Sequence, residues 1–424
     1  MEAIMKIRID FVAIPVSGHI NTQIELASFL DPNEYSVRFI TGVKQKALIE
    51  KLGFDFAPII GGTQIEDYFK NARIARNDFY PKQMLNIGMG ALKWMSDAYP
   101  FVERAILDDR PDLMVCDYVT LQGGMVARDY GIPYITNMRT QFVQDPVDEE
   151  THVPYFLKGL KPDETPLGKL RNVIGWKIVK GAKKMGELVN PNPNKASFYR
   201  GDMETMFSPH CILGCGMMEI EYNQFKSKAF VSAGPICSFS KSLEYIPLPT
   251  NYEKRILVTI GTISYQDQEA MTERVRKLAA KYPNYLFVYT SGNQGKGQIQ
   301  EGNIIFMDGI PYDPNMPQFD YVIHHAGAGI FYQTIKHNIP SMYFPIAHDQ
   351  FDFSSRGDYH GAVIWTNELK FEADFADLVT RKDWSKLNDL HQAYHEYDPK
   401  SVFIEQIHRL VNEKKQQSKK LAIA

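Results

Sequence analysis

The chain has 424 residues, 44% apolar and 23% charged, with a net charge of −3 and four cysteines. That length supports two or three domains with ample core, and the composition excludes a disordered or fibrous chain. The charge balance gives no global attraction to nucleic acid, and so few cysteines exclude a disulfide scaffold.

Met1 to Asp10 carries charges throughout and runs into a strand, so no signal peptide is expected. No apolar run approaches the roughly 20 residues that span a bilayer. The expected location is the cytoplasm, with Cys116, Cys211, Cys215 and Cys237 as reduced packing residues.

Strands are predicted over Ile7–Val16, Tyr35–Thr41 and Phe54–Ile60, with helices over Ile20–Leu30 and Val43–Leu52 between them. Leu113–Cys116 and Tyr134–Thr136 continue the strand series. Between them Gln122–Tyr130 reads as a helix stopped by Gly131 and Pro133. Gly234–Tyr252 is rich in Pro, Ser and Tyr and lacks periodicity, as a linker does. A second alternation follows: strand Arg255–Gly261, helix Gln268–Lys281, then strands Tyr285–Thr290 and Ile304–Met307. Ser401–Val411 reads as a helix, and the lysine-rich end from Glu413 is expected to fray. Such alternation predicts an α/β chain of doubly wound parallel sheets. The expected divisions are 1–233, a linker at 234–252, 253–400, and a terminal helix and tail at 401–424.

The segment Phe319–Gln350 carries the most chemistry. A buried strand at Tyr321–His324 leads into His325, Ala326, Gly327, Ala328 and Gly329, then a helix over Ile330–His337, a strand at Ser341–Phe344, and Asp349-Gln350. Small residues at a strand-to-helix turn let backbone N–H groups approach an anion, which the helix dipole also favours. A histidine beside the turn adds a donor to a phosphate oxygen, and the acid-amide pair can hold sugar hydroxyls. Together they suggest a site for a nucleotide-sugar diphosphate.

His325-x-Gly327-x-Gly329, Gln333, Asn338, Pro340, Pro345 and Asp349-Gln350 resemble the donor-binding signature of family 1 glycosyltransferases, the group of UDP-glycosyltransferases and bacterial antibiotic or lipid glycosyltransferases. The resemblance implies the GT-B architecture, two Rossmann-like halves facing across a cleft, with the terminal helix returning to the first half. It also covers Gly18-His19-Ile20-Asn21, similar to the family's GHxxP turn with Thr22 in place of proline. By that resemblance His19 is the general base and Asp117 its acidic partner; unperturbed imidazole titrates near neutral pH. Without the resemblance, Asp117 reads equally as a cap for the following helix. His325 and the amides of Ala328, Gly329 and Ile330 are expected on the diphosphate, with Gly261 and Thr262 adding contacts. Gln333 is expected on ribose, Asp349 and Gln350 on the transferred sugar, and Ile310 at the position that stacks on the base, with Tyr312 as its substitute.

Within Phe319–Gln350 three positions depart from the family pattern. Ile330 stands where many relatives have Ser or Thr, Gln333 where a glutamate is common, and Ala326 replaces a glycine. No Asp-x-Asp occurs, so metal independence is expected, with no cofactor beyond a UDP- or TDP-sugar co-substrate. His391 and His395 lack an obvious third ligand and read as a surface pair.

Acceptor contacts are expected in Gln64–Tyr99 and Phe142–Phe207, whose Met and aromatic residues suit a small, apolar, hydroxyl-bearing acceptor. Lys169–Met185 is amphipathic, with Leu170, Ile174, Ile178 and Ala182 on one side and Lys177, Lys180 and Lys184 on another. Peripheral contact with the inner membrane face competes there with a solvated helix over the core. The expected activity is inverting transfer of a hexose, glucose first among them. The alternatives are an NDP-sugar epimerase on the same scaffold or a non-catalytic nucleotide-sugar-binding auxiliary protein.

Overall fold

The computed structural model describes residues 6–59, 97–155, 157–188, 207–239, 243–261, 268–290, 297–346 and 349–423. Its first sheet holds β1 Ile7–Val12, β2 Tyr35–Gly42, β3 Asp55–Ile59, β4 Leu113–Asp117, β5 Tyr134–Met138, β6 Cys211–Gly214 and β7 Phe230–Ser232. All pairs are parallel, in the order β3-β2-β1-β4-β5-β6-β7. Near-continuous apolar runs such as Leu113–Asp117 are buried along their length, the pattern of strands covered on both faces.

The second sheet holds β8 Lys254–Thr259, β9 Tyr285–Thr290, β10 Ile299–Glu301, β11 Ile304–Met307, β12 Tyr321–His324, β13 Ser341–Tyr343 and β14 Ile364–Trp365. Its order is β10-β11-β9-β8-β12-β13-β14, and only β10 runs antiparallel, against β11. In both sheets the order reverses direction beside the first strand, between β1 and β4 and between β8 and β12. Ligands of open α/β sheets bind outside the carboxyl ends of the strands at such reversals.

Helices cover the sheets: α1 Ser17–Ser28, α2 Lys46–Lys51, α3 at 97–108, α4 Leu121–Asp129 and α5 Pro166–Leu188 in the first half. The second half has α6 Gln268–Lys281, α7 Tyr312–Asn315, α8 Ala328–Lys336, α9 Gln350–Tyr359, α10 Phe371–Thr380 and α11 Ser385–Tyr394. The last helix, α12 Pro399–Ile423, packs Phe403, Ile407, Leu410 and Val411 against Ile9, Phe11, Phe39 and Leu213 of the first half. Full burial of each such side chain contributes about 1.5–3 kcal/mol.

Several element boundaries differ from the sequence reading; α8, for one, starts at Ala328 rather than Ile330. The first strand stops at Val12 rather than Val16, because Pro15 cannot continue the ladder, and α1 starts at Ser17. The terminal segment is helical to Ile423 rather than frayed from Glu413, and Arg409 Nη1 bonds Glu413 at 3.2 Å one turn on. The thiols of Cys211, Cys215 and Cys237 are free, and burial pushes each up to about 12.

Helix α5 turns Asn172, Gly175 and Trp176 inward, and Trp176 Nε1 donates to the His152 carbonyl at 2.8 Å. Leu167, Leu170, Ile174 and Ile178 face outward, 79%, 55%, 48% and 59% exposed. This apolar row therefore does not cover the core. Among the described residues no helix is long and apolar enough to cross a membrane.

A buried ion pair ties the halves together. Arg356 Nε on α9 donates to Glu221 Oε2 at 2.9 Å, and its guanidinium lies 4.1 Å from the Phe142 ring centre and 4.5 Å from that of Tyr222. Tyr332 of α8 accepts the Met217 amide at 3.3 Å close by. Removing one partner of a buried pair leaves the other charge uncompensated. Glu221→Ala should therefore cost about 3–5 kcal/mol in denaturant unfolding, and Glu221→Ala with Arg356→Met should recover a large part of it. A single-variant loss under about 1 kcal/mol, the range of surface pairs, would show that this contact does not hold the halves.

Candidate active site

The two reversals face one another across a cavity of about 340 Å³. On the first side, α1 follows β1 and places His19 in its opening turn, while β4 ends in Asp117. His19 Nδ1 lies 3.0 and 2.9 Å from the two carboxylate oxygens of Asp117. The carboxylate is fully buried and also accepts the Val119 amide at 3.0 Å. An acceptor-only carboxylate makes Nδ1 the donor. Nε2 is then the basic nitrogen, and the His19 side chain lines the cavity. Asp117 stands behind the ring, out of the cavity, and the ring is flanked by Tyr118 at 5.6 Å between centres.

On the second side, β12 delivers His325 and α8 begins at Ala328 with no side-chain cap. The amides of Ala328, Gly329 and Ile330 in its first turn have no intrahelical acceptor by construction, and all three residues line the cavity. His325 is held between two glycines. A Cβ on Gly261 would stand 2.8 Å from its Nε2, and one on Gly327 2.5 Å. Gly261 also has φ +77°, which side-chain-bearing residues rarely adopt. Burial pushes the His325 imidazole down to about 4, against a smaller opposing influence of the Thr259 carbonyl. The ring is therefore neutral at pH 7 and can donate a single N–H.

Ala326 adopts φ 62°, a left-handed conformation that costs an alanine about 1–2 kcal/mol. The replacement of glycine here is thus more than a small change. The turn is held by the Ala326 amide, which donates to His324 Nδ1 at 3.0 Å.

Asp349 and Gln350 reach the same cavity from the start of α9, and Gln350 Oε1 accepts the Ile346 amide at 2.8 Å. Thr262 lies outside the described residues, as do residues 64–96, 156 and 189–206 of the two expected acceptor segments. Two expected contacts are not brought to the cavity. Gln333 is buried, and its Nε2 donates to the Cys237 carbonyl at 2.7 Å and to Asp313 at 2.9 Å, so its amide holds the interdomain segment instead. Ile310 packs with Leu257, Val288, Ile305 and Ile330 in the core, and Tyr312 lines the cavity in its place.

Sequence reasoning missed Glu25 and Arg139, which also line the cavity. Arg139 follows β5 at the same sheet edge as His19, so the strand-end rule would have found it. Among the described residues no group of three His, Cys, Asp or Glu forms a metal cluster. The His391 and His395 rings meet edge-to-face with centres 4.7 Å apart, and His391 Nδ1 lies 3.0 Å from the Ile335 carbonyl oxygen.

No family model matches the chain. It is similar to 4'-demethylrebeccamycin synthase of Lentzea aerocolonigenes, 22% identical over 388 residues covering 85% of this chain and 87% of that protein. Demethyllactenocin mycarosyltransferase of Streptomyces fradiae is 21% identical over 350 residues, 80% of this chain and 70% of its own. A solved Streptomyces sp. SF2575 glycosyltransferase complexed with thymidine diphosphate superposes with a TM-score of 0.64, covering 94% of this chain and 99% of that one at 15% identity. The architecture is therefore GT-B. The chain is a relative of glycosyltransferases built on that fold, and the family 1 resemblance extends over both halves.

The two glycine walls give a direct test of the His325 environment. In a histidine-labelled NMR titration, a resonance absent from His325→Gln should titrate near pH 4. Gly327→Ala should move it toward the ordinary imidazole value of about 6.5, as the new methyl pushes the ring toward water. Titration near 6.5 in the unmodified protein would show that the ring is solvated.

Proposed function

We propose that this chain is an inverting, metal-independent glycosyltransferase that moves a hexose from a UDP- or TDP-sugar to a hydroxyl of a small, largely apolar acceptor. One observation carries the reading: a single cavity is lined by an aspartate-backed histidine from one half and an uncapped helix N-terminus from the other.

In this mechanism the acceptor O–H gives its proton to His19 Nε2, and its oxygen bonds to the anomeric carbon. The bond from that carbon to the diphosphate breaks on the opposite face through an oxocarbenium-like state, inverting the centre. Asp117 stabilises the imidazolium and keeps Nδ1 protonated, so the tautomer presents the lone pair at Nε2. The departing diphosphate carries the electron pair. It is met by the amides of Ala328, Gly329 and Ile330, donors already in position, with the His325 ring beside them. Asp349 and Gln350 hold sugar hydroxyls. Tyr312 takes the place proposed for Ile310 as the aromatic surface for the base. The thymidine diphosphate bound to the Streptomyces sp. SF2575 enzyme supports the donor class, and the mycarosyltransferase relative shows why the hexose needs its own test.

The outward face of α5 supports a peripheral contact with anionic lipid. Four exposed apolar side chains form one row, with Lys169, Lys177 and Lys184 along its flank. The protein should co-sediment with phosphatidylserine-containing vesicles and release as salt rises, and Ile174→Asp with Ile178→Asp should abolish the binding. Equal binding by that variant would remove the lipid contact.

Transfer is tested with UDP-glucose and TDP-glucose against a panel of hydroxylated apolar acceptors, read by mass spectrometry with and without EDTA. A β-linked product from an α-linked donor is expected, at a rate indifferent to chelation. His19→Ala should lower transfer by about 10²–10⁴-fold while nucleoside diphosphate binding persists. Unchanged turnover in that variant would rule His19 out as the base, and conversion of donor alone would favour epimerisation.

A further inference from the structure

Among the described residues, the Arg139 guanidinium has no ion-pair partner. The residue is 7% exposed and lines the cavity. Its Nη1 donates to the Gly18 carbonyl, and its Nε is buried with no hydrogen-bond partner. Among the described residues no carboxylate lies within ion-pair distance of the guanidinium. Glu25 feels its charge, but Glu25 Oε2 is already taken by the amides of Ser238 and Phe239, each at 2.8 Å. A nearly buried guanidinium with no counter-charge is destabilising unless something anionic completes it.

The position of the guanidinium indicates what that anion is. A Cβ added at Gly329 would lie 3.3 Å from Arg139 Nη2, so the guanidinium stands over the first turn of α8. The side chain comes from the first half, while the uncapped amides it overlooks belong to the second. The helix N-terminus and the guanidinium thus converge from opposite walls on one volume. Both favour negative charge there, and a planar fork suits two phosphate oxygens.

We infer that Arg139 and the N-terminus of α8 form one anion subsite, and that the diphosphate of the donor is the missing counter-ion of Arg139. This rests on the donor reading above. It assigns to the first half a share of leaving-group binding that the donor signature lacks. The guanidinium also supplies positive charge beside a helix turn where Ile330 offers no hydroxyl.

The test is calorimetric binding of thymidine diphosphate, uridine diphosphate and the two free nucleosides to the full chain. Arg139→Gln should weaken the better-bound diphosphate by about 10–100-fold, the value of a charge-assisted contact, while nucleoside affinity stays the same. Arg139→Lys should restore only part of the loss, because a point charge cannot bridge the Gly18 carbonyl and two phosphate oxygens. The melting temperature of unliganded Arg139→Gln should be unchanged or higher, since an uncompensated charge is removed, whereas a merely structural arginine would lower it. Unchanged diphosphate affinity, or an equal loss for diphosphate and nucleoside, would overturn the assignment; if Arg139→Gln does not fold, the same comparison is read from Arg139→Lys. Failure of the unmodified chain to bind any nucleoside diphosphate would instead overturn the donor reading itself.

Discussion

A hydrogen bond from His19 Nδ1, in the opening turn of the helix after β1, to the buried carboxylate of Asp117 at the end of β4 decides which imidazole nitrogen is left to the cavity. β1 and β4 pair in parallel at the place where the sheet order reverses. Whatever follows each strand must then diverge to opposite faces, and the gap between them is where two side chains can meet and still reach a ligand. The carboxylate consumes one imidazole nitrogen, and the other is left to the cavity. The second sheet repeats the construction between β8 and β12, offering backbone amides and a neutral imidazole where the first sheet offers a carboxylate-backed imidazole.

The surrounding contacts hold this opposition in register. Arg356 and Glu221, with Phe142 and Tyr222 against the guanidinium, form a fully enclosed joint between the halves. Gln333 and Lys336 of α8 reach the interdomain segment at Cys237 and Ser238, which in turn is tied to Glu25 of α1. The helix whose uncapped N-terminus lines the cavity is therefore connected through side chains to the helix that carries His19. Polar contacts of this kind in a buried joint fix geometry more than they add stability.

Much of the fold was legible because parallel strands covered on both faces announce themselves as short apolar runs. Tyr285–Thr290, Ile304–Met307 and Tyr321–His324 emerge within the same limits from sequence and structure. The start of α1 was less legible, since Pro15 and Gly18 mark a turn without saying how soon a helix follows. At the site, residues defined by local chain geometry could be read in advance: His325 between Gly261 and Gly327, and the small residues opening α8. Residues whose roles depend on what lies opposite could not. Gln333 and Ile310 sit at the expected spacing, but α7 and the interdomain segment compete for the first and the core for the second, and each turns away from the cavity. Arg139 belongs to no motif, and its setting becomes visible only when α8 is placed above it.

The chain passes between its halves twice, once through the segment after Gly234 and once on the way into α12, and the two passages touch. A side-chain carbon on Gly234 would come within 2.5 Å of Tyr397 Cβ, and Cys237 Sγ lies 3.4 Å from the Tyr394 hydroxyl. Two straps lying side by side in contact tie the crossings to each other, so a change in the packing of one is passed directly to the other.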